Sequence, residues 1–504
     1  MERIRLLITS DVHGHISPYN DTTKLLEASG LARFKTVVNA LRDDNTLVLD
    51  NGDTLSGTPL SYFHAERYPD EIPPVTKAMN DIAYDYVNIG NHDFDYGEEI
   101  LMMHLQNLKA PCITNNWQYY GKPFGPTYVI REIAGKKIAL FGLVTSYVPH
   151  WQKKANIRHC RFTDVVETAK KTVETVRRLE KPDLVICMYH GGFENDPVTG
   201  LPMTGNKGEN EAYRLCREVS GIDLLIAGHQ HTSLKGKINN TYYIETSAFA
   251  KEIGCVDIDI DNKNMDLHLL KCDAEVDEDL LKLIEKEQSE CEQWLDREVS
   301  RSIMDLSVSE KPDDRVNKSN FVTLMNTILL ETTHADLAST TLRKNCKGLS
   351  RSITMREIFS LLPYEDSIDM CSITGKELKA YLEKSAELLK HDTDGKPCFN
   401  PAYIPTMQYT SYDLIDGVEY TMDLYNEPGY RITSVLYKGT EVEDDQKLTI
   451  AMSHYRRNGN DGYDMLRDLP VLKEFTLSQR EMIAQYLSTH PEIDFEPVNN
   501  IHII

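Results

Sequence analysis

Seven oxygen and nitrogen donors in the first half of the chain have the types and spacing of a two-metal centre. Imidazole and carboxylate groups together suit divalent zinc, manganese, iron or nickel. Two such ions against two carboxylates leave a net charge of about +2, which matches a phosphate dianion and the charge that develops in its transition state. The pattern therefore predicts metal-assisted phosphoester hydrolysis. The donors are Asp11, His13, Asp53, Asn91, His190, His229 and His231.

A bridging carboxylate and an acid–base pair complete the predicted chemistry. Asp53 is the expected bridge, because one carboxylate can offer an oxygen to each metal. A metal-bound water has its pKa lowered toward neutrality and can attack phosphorus as hydroxide. His92 follows Asn91 but is expected to turn toward the leaving group, and Asp95 is placed to orient its ring. We therefore predict His92 as general acid and Asp95 as its partner.

Each group of donors follows a short apolar run that is typical of a buried strand. Ligands in open α/β sheets bind beyond the carboxyl ends of the strands, so these donors are expected along one edge of a sheet. A lone histidine on an apolar face is usually a core or surface residue, but donors at the ends of five separate runs favour a metal site. The runs are Ile4–Ile8, Leu47–Leu49, Tyr86–Ile89, Leu184–Met188 and Ile222–Ala227.

The length of 504 residues predicts two domains, since it exceeds what one hydrophobic core usually holds. Short strands alternate with helical stretches up to about Asp273, which predicts a catalytic α/β domain over residues 1–273. The charged stretch 274–301 has apolar residues at roughly helical spacing and is predicted to be a linker helix. Residues 302–504 form the predicted second α/β domain, with helices expected at Asn317–Thr333, Thr354–Leu361, Gly375–Leu389 and Thr476–Thr489.

The composition limits the classes of partner. A net charge of −23 argues against a nucleic-acid polymer, because binding the phosphate backbone needs basic patches. A small anionic substrate is still compatible, since metal charge acts locally. No apolar run is long enough to span a membrane, and the N-terminal residues do not resemble a signal peptide. We expect a cytoplasmic protein whose ten cysteines, without any C-x-x-C pair, are reduced.

The motifs SDVHGH, DNGDTLSGTPL, GNHDFDYG, YHGGFE and GHQH resemble those of the calcineurin-like metallophosphoesterases, and in particular the 5′-nucleotidase family. In the second half, ADLAST, ITMREIFSLLPYEDSIDMCSITGKELKAYLEKS, SYDLIDGVEYTMDL and MSHYRRNGNDGY are similar to that family, in forms nearest the bacterial 2′,3′-cyclic-nucleotide 2′-phosphodiesterase/3′-nucleotidase branch. The resemblance implies an α/β fold. An N-terminal metallophosphoesterase sandwich of α/β/β/α layers would precede a C-terminal 5′-nucleotidase-type substrate-binding domain.

The resemblance also implies a distribution of the metal ligands. Two divalent ions, with manganese or zinc expected first, would share Asp53, and His92 with Asp95 would form the catalytic dyad. The first ion would be held by Asp11, His13, Asp53 and His231, and the second by Asp53, Asn91, His190 and His229. One departure from the family is Asp93 in place of the usual Glu, which is expected to matter little because that side chain is not a ligand.

The substrate site is implied in less detail. By resemblance, Asn115 lies near the phosphate, and Arg343 stands where the family's glycine-rich segment places a phosphate contact. Two aromatic rings would clamp a nucleobase. Tyr455, followed by a glycine-rich turn, fits one ring, while Tyr412 or Tyr409 would supply the other. Asp461 would contact the base or ribose edge. The residues are Asn115, Arg343, Tyr409, Tyr412, Tyr455 and Asp461.

Several functions remain open at this point. The leading hypothesis is a nucleotide phosphohydrolase that acts on 5′-, 3′- or 2′,3′-cyclic phosphates. A UDP-sugar or other non-nucleotide phosphoester hydrolase, a DNA-processing nuclease and a non-catalytic binding protein on the same fold are the alternatives. Filled ligand positions disfavour the binding protein, and the acidic balance disfavours the nuclease. The base preference, the native metal and the oligomeric state are not determined by the sequence.

Overall fold

The computed structural model describes residues 3–21, 23–203, 208–259, 261–362, 366–405 and 408–504. The chain divides into two compact units, Met1–Glu292 and Gln293–Ile504, which are described separately. No helix in the described ranges is long and apolar enough to cross a lipid bilayer.

Strands and helices alternate along most of the first unit. Its strands are β1 (Ile4–Thr9), β2 (Thr46–Asp50), β3 (Tyr86–Val87), β4 (Trp117–Tyr119), β5 (Lys122–Pro123), β6 (Val129–Ile133), β7 (Lys136–Val144), β8 (Cys160–Phe162), β9 (Leu184–His190), β10 (Leu224–Ala227), β11 (Leu234–Ile238), β12 (Thr241–Glu245), β13 (Glu252–Asp259) and β14 (Asn264–Lys271). Its helices are α1 (Leu31–Leu41), α2 (Pro59–Arg67), α3 (Pro74–Ile82), α4 (Gly97–Asn107), α5 (Val148–Trp151), α6 (Val165–Leu179), α7 (Ala212–Glu218), α8 (Glu278–Lys282) and α9 (Glu285–Leu295), with a 3₁₀ turn at His92–Phe94.

Two sheets form the centre of this unit. One has the strand order β14-β13-β1-β2-β3 and the other β11-β12-β10-β9-β7-β6, while β5-β4-β8 form a small separate sheet. Strands β1, β2 and β3 are parallel, and so are β7, β9, β10 and β12. Parallel neighbours end at the same edge of a sheet, so the loops that carry the predicted ligands begin side by side.

Apolar side chains hold the layers together. Side chains alternate between the two faces along β1, and Ile4, Leu6 and Ile8 face the second sheet. Residues of the second sheet such as Ile186 meet them, and its opposite face packs under α6 and α7. On the outer side of the first sheet, the ring of Phe34 in α1 lies 5.8 Å from that of Tyr84. The layers are therefore α/β/β/α, as the sequence predicted.

The second unit has its own sheets and helices. Its strands are β15 (Glu298–Ser302), β16 (Leu337–Thr341), β17 (Ser352–Thr354), β18 (Ser367–Thr374), β19 (Leu389–His391), β20 (Pro397–Phe399), β21 (Asp413–Asp416), β22 (Glu419–Met422), β23 (Ile432–Tyr437), β24 (Thr440–Glu441), β25 (Lys447–Ser453), β26 (Val471–Ser478), β27 (Glu492–Ile493) and β28 (Ile501–Ile503). Its helices are α10 (Asn320–Thr333), α11 (Met355–Leu361), α12 (Gly375–Ala386), α13 (His454–Arg457) and α14 (Gln479–Thr489), with 3₁₀ turns at Pro312–Arg315, Pro401–Tyr403, Gln408–Ser411, Asn460–Gly462 and Asp464–Leu466.

A mixed sheet of order β21-β16-β25-β18-β26 is the centre of this unit, beside β17-β15-β27, β24-β23-β22-β28 and the pair β19-β20. Three helix starts are determined locally by capping boxes at α11, α12 and α14, in which a Ser or Thr and a Glu three residues later satisfy free backbone N–H groups. These starts lie within a few residues of those expected from the sequence.

The predicted linker over 274–301 differs from a single helix. Helix α8 ends at Lys282, α9 begins at Glu285, and the segment ends in β15. Leu283, at the break, is 45 % exposed, whereas Ile284 and Leu295 are buried. The segment is therefore packed on one side over much of its length, and the division between the units at Glu292 falls inside it.

The packing between the two sheets leads to a stability prediction. Ile186 is fully buried between Leu140 and Leu224 of the neighbouring strands. Ile186→Ala should lower the free energy of unfolding of the first unit by about 2–5 kcal/mol, because a cavity forms where the sheets cannot close up. The measurement is chemical denaturation followed by a probe in this unit. Leu179→Ala, at a position 60 % exposed on α6, is the control, and equal losses in both variants would contradict the packing described.

Candidate metal centre

The predicted donors lie on loops that leave the parallel strands at one edge of the two sheets. Asp11 follows β1, Asp53 follows β2, and His190 is the last residue of β9. His229 and His231 follow β10. Except for His190, each of these has a left-handed backbone, with φ of 55° at Asp11, 56° at Asp53, 75° at His229 and 55° at His231. Non-glycine residues adopt this conformation at a cost of about 1–2 kcal/mol each, and such strain is concentrated at functional sites.

Six of the donors form two clusters. The first cluster is Asp11, His13 and His231, and the second cluster is Asp53, His190 and His229; within each, the candidate ligand atoms lie within 4.8 Å of one another. Asp53 Oδ2 lies 3.2 Å from His190 Nε2 and 3.8 Å from His13 Nε2. This carboxylate oxygen is therefore between the two clusters, which is the position that a bridging ligand needs.

Hydrogen bonds to the backbone orient two of the imidazole rings. His13 Nδ1 donates to the carbonyl of Ser56 at 2.9 Å, and His190 Nδ1 donates to the carbonyl of Asn51 at 2.8 Å. A carbonyl can only accept, so each ring has a proton at Nδ1, and Nε2 is the atom left to face a metal. Burial would lower the pKa of His190, but the carboxylates of Asp53 and Asp11 outweigh burial and raise it to about 10, so a cation would displace a proton from Nε2 of that ring. A metal-binding histidine is commonly held in this way.

Unpartnered buried atoms test whether metal ions fit here. Asp53 Oδ2, Asn91 Oδ1 and His190 Nε2 are buried, and none of them makes a well-formed hydrogen bond within the described residues, although Asp53 Oδ2 and His190 Nε2 face each other at 3.2 Å. Buried polar atoms are rarely left in this state unless a ligand satisfies them. Carboxylate, amide and imidazole donors are those that divalent ions accept. The residues present therefore fit two divalent ions, with Asn91 beside the two clusters.

The charge states suit cation binding. Burial lowers the pKa of His229 to about 3 and also lowers the pKa of His13, so both rings are neutral at physiological pH. Burial alone would raise the pKa of Asp11, but the His190 and His231 rings outweigh it and bring that pKa to about 2. The pKa of Asp53 is likewise lowered, because His190 and His92 outweigh burial. Both carboxylates are thus ionised.

The predicted dyad is assembled next to the clusters. His92 Nδ1 donates to Asp95 Oδ2 at 2.9 Å, and the His92 ring centroid lies 5.4 Å from that of His13. Burial would lower the pKa of His92, but the carboxylates of Asp95 and Asp53 outweigh burial and raise it to about 10. A protonated His92 can donate a proton from Nε2. Ser56 Oγ also donates to Asp95 Oδ2, at 2.5 Å.

Asp93 has a larger structural role than the sequence indicated. Its carboxylate accepts the backbone N–H groups of Asp53, Thr54, Leu55 and Gly90 at 3.0, 2.7, 2.9 and 2.7 Å. The side chain is not a ligand, but it joins the loop that carries Asp53 to the loop that carries Asn91. The sequence indicated only that this side chain is not a ligand and so left out its structural role; the expectation that Asp in place of Glu matters little stays a prediction. No local pattern could have shown the structural role, since three of the partners are about 40 residues away.

The side chain of Asn115 makes a hydrogen bond to a helix of the first unit. Its amide donates to Thr172 Oγ1 on α6 at 2.7 Å. The predicted phosphate contact of Asn115 stays a prediction.

In the second unit the structure brings Tyr455 and Asp461 together. Tyr455 is 51 % exposed, and its hydroxyl donates to Asp461 Oδ1 at 3.2 Å. Gly459, Asp461 and Gly462 all have left-handed φ, so the turn depends on glycine as the sequence suggested. Burial and the Asp461 carboxylate raise the pKa of Tyr455 to about 12, and the charge of Arg343 acts on that pKa in the opposite direction.

Tyr412 and Tyr409 occupy core positions, which corrects their assignment as a clamp ring. Tyr412 is 3 % exposed, and its hydroxyl donates to the carbonyl of Val316 at 3.3 Å. Tyr409 is 7 % exposed, and both rings pack against Phe399. A ring enclosed in this way presents no free face on which a base can stack, so the role assigned from the resemblance is not supported at either position.

Comparisons with known proteins agree with this fold. The profile of the calcineurin-like phosphoesterases matches residues 4–233, and that of the 5′-nucleotidase C-terminal domain matches residues 301–468. A 5′-nucleotidase structure from Staphylococcus aureus is similar over 100 % of both chains, with a TM-score of 0.85 and 27 % identity. A 5′-nucleotidase precursor from Thermus thermophilus shares the fold, with a TM-score of 0.64 at 18 % identity over 100 % of this chain and 99 % of its own.

Two bacterial relatives extend the comparison. The 2′,3′-cyclic-nucleotide 2′-phosphodiesterase/3′-nucleotidase of Salmonella typhimurium is 24 % identical over 90 % of this chain and 81 % of its own length. The trifunctional nucleotide phosphoesterase YfkN of Bacillus subtilis is 22 % identical over 99 % of this chain, which spans 38 % of YfkN. The chain belongs to the calcineurin-like metallophosphoesterases that carry a 5′-nucleotidase C-terminal domain, and it is a hydrolase of phosphoric esters.

The position of Asp53 between the clusters generates a prediction about metal content. Asp53→Ala should lower the bound metal from two ions per chain to one or fewer, and should lower phosphatase turnover at least about 100-fold, because both clusters lose a shared ligand. Metal analysis after loading with manganese or zinc and dialysis measures the first effect. Asp44→Ala removes an exposed carboxylate and is the control. Two retained ions with near-normal turnover in Asp53→Ala would refute the assignment.

Proposed function

We propose that this hydrolase uses two divalent ions, manganese or zinc, to cleave nucleotide phosphate esters. Its substrates would be 5′-nucleotides, 3′-nucleotides or 2′,3′-cyclic nucleotides, with nucleoside and phosphate as the final products. The observation that supports this most directly is the His92–Asp95 dyad beside two clusters of metal-type ligands. The names of the relatives, nucleotidases and nucleotide phosphodiesterases, point to the same class of substrate.

Each side chain of the candidate metal centre and the dyad has a proposed role in the hydrolysis. When bound, the two ions supply positive charge at the phosphate and lower the pKa of a water. Asp11, His13 and His231 would hold one ion, and Asn91, His190 and His229 the other, with Asp53 contributing to both. The oxygen of a water would bond to phosphorus as the phosphorus–oxygen bond to the leaving group breaks, and His92 Nε2 would give its proton to the departing oxygen. The proton released from the water would be the one gained by the free phosphate or by solvent. Asp95 accepts the Nδ1 proton in a hydrogen bond and so keeps the ring oriented.

Base recognition would belong to the second unit. Tyr455 offers a half-exposed ring, and Asp461 offers a carboxylate to the base or ribose. Arg343 and Asn115 stay the phosphate contacts that the resemblance implies. With Tyr412 and Tyr409 buried, a second stacking ring is not assigned. The cytoplasmic location also stays a prediction.

A second candidate function has one specific observation in its favour. Endonuclease YhcR of Bacillus subtilis is 22 % identical over 90 % of this chain, which spans 37 % of that protein. The net charge of −23 opposes binding of a nucleic-acid polymer. Plasmid DNA incubated with the enzyme and manganese distinguishes the two, since nicking at rates comparable to nucleotide hydrolysis would favour the nuclease.

A substrate panel tests the proposal directly. Nucleoside 5′-, 3′- and 2′,3′-cyclic monophosphates, UDP-glucose and p-nitrophenyl phosphate should be assayed with added manganese. We expect kcat/KM for at least one nucleotide to exceed that for p-nitrophenyl phosphate. Preference for UDP-glucose or for the aryl ester would indicate a different phosphoester substrate.

The acid role of His92 predicts a dependence on the leaving group. His92→Ala should lower kcat for nucleoside monophosphates about 10²–10⁴-fold, because a sugar oxygen needs a proton as it leaves. The loss for p-nitrophenyl phosphate should be much smaller, since nitrophenolate leaves without one. His268→Ala, an exposed histidine on β14, is the control. Equal losses on both substrates would show that His92 acts on phosphate charge or on structure.

The role of Tyr455 predicts an effect confined to substrates with a base. Stacking on an aromatic ring contributes about 1–3 kcal/mol per base, so Tyr455→Ala should raise KM for a nucleotide about tenfold or more. The KM for p-nitrophenyl phosphate should change little. Tyr425→Ala replaces another exposed tyrosine of the second unit, 76 % exposed, and is the matched control. An unchanged nucleotide KM would mean that the base is held elsewhere.

A further inference from the structure

A segment that the sequence did not single out borders the metal centre. Residues 147–156 follow β7 and contain the short helix α5. The ring of Trp151 lies 5.1 Å from the ring of His229. The side chain of Gln152 reaches Asp95, and Asn156 Nδ2 donates to the backbone carbonyl of Asp95 at 2.8 Å. This segment therefore contacts both a metal-type ligand and the dyad.

The amide of Gln152 joins the dyad to the backbone beside it. Gln152 Nε2 lies 2.5 Å from Asp95 Oδ1 and 2.8 Å from the carbonyl oxygen of Asn91. A carboxylate and a carbonyl can only accept, so the nitrogen of the amide, and not its oxygen, must face them. Both N–H groups of the amide are thereby used.

Three donors from three parts of the chain hold the Asp95 carboxylate. Oδ2 accepts from His92 Nδ1 at 2.9 Å and from Ser56 Oγ at 2.5 Å, and Oδ1 accepts from Gln152 Nε2. With both oxygens engaged, the carboxylate plane cannot turn without losing a hydrogen bond. Without Gln152, Asp95 Oδ1 would lose the donor described here. Of the three hydrogen bonds, only the two at Oδ2 would then keep the carboxylate in the plane that orients His92.

We propose that Gln152 is a positioning residue for proton donation to the leaving group. Its amide holds the Asp95 carboxylate in the plane that orients His92. The same amide also binds the backbone carbonyl of Asn91, the residue directly before His92. The inference rests on the proposed acid role of His92. It adds a residue 57 positions away from Asp95 in the chain to the proton-donating apparatus.

A series of aryl phosphates whose phenols differ in acidity tests this role. Wild-type enzyme should show a shallow dependence of kcat on phenol pKa, because the leaving oxygen is protonated as it departs. Gln152→Ala should steepen that dependence, with a loss of about 10–100-fold for the least acidic phenol and a loss within about threefold for p-nitrophenol. Metal content should stay at two ions per chain. A purely structural role would instead lower kcat for every ester alike or reduce the bound metal.

Two further variants complete the test. Gln152→Glu has nearly the same shape but opposes a carboxylate to Asp95 and to the Asn91 carbonyl, so its dependence should be at least as steep as that of Gln152→Ala. Arg158→Ala, at an exposed position just beyond this segment, is the control and should behave as wild type. Because the esters contain no nucleoside, the result does not depend on whether nucleotides are the natural substrates.

The outcomes separate the two proposals. A steeper dependence in both His92→Ala and the Gln152 variants supports the positioning role. A wild-type dependence in the Gln152 variants beside a steeper one in His92→Ala overturns the role of Gln152 alone. If the dependence of kcat on phenol pKa is unchanged in all of these variants, the acid role of His92 is overturned, and the role of Gln152 with it. The substrate panel still decides the nucleotide proposal separately.

Discussion

Buried oxygen and nitrogen atoms that converge without partners are the constraint on which the first unit depends. Asp53 Oδ2, Asn91 Oδ1 and His190 Nε2 are shielded from water and unsatisfied within the described residues. Such atoms are costly to bury, and bound divalent cations would remove that cost. The sheets, the left-handed ligand loops and the orientation of the rings all serve to bring these atoms together.

Groups that are not ligands support much of this convergence. Asp93 holds the loop of Asp53 through backbone N–H groups, and Ser56 and Asn51 orient ligand rings through their carbonyls. Asn88 donates to the carbonyls of Leu143 at 2.7 Å and Met188 at 3.3 Å, and so joins the two sheets directly beneath the site. The metal centre is thus supported by hydrogen bonds between segments far apart in the chain.

The orientation of the Asp95 carboxylate in the dyad depends on its hydrogen-bond partners. Asp95 lies three residues from His92, which makes their pairing local, but its second oxygen is engaged by Gln152 from a different part of the chain.

In the second unit, two residues of the same type have different environments. Tyr455 and Tyr412 are both tyrosines in family-like motifs, yet one is half exposed beside Asp461 and the other is enclosed in the core. Residue type alone does not distinguish these environments.

The sequence by itself determined the layers of the first unit, the metal-type ligands and the pairing of His92 with Asp95. Buried parallel strands appear as apolar runs, and their carboxyl ends share an edge, so the sequence alone places Asp11, Asp53 and His190 together. Capping boxes are equally local, which is why the starts of α11, α12 and α14 were close to expectation.

Only the tertiary structure decided the roles of Asp93, Gln152 and Tyr412. The partners of Asp93 and Gln152 lie about 40 and 57 residues away, and periodicity carries no information about hydrogen bonds across such distances. The burial of Tyr412 likewise depends on Phe399 and Val316, which are brought to it by other elements. A pattern along the chain reports which face a residue prefers, whereas a hydrogen bond or an enclosed ring depends on what the rest of the fold places against it.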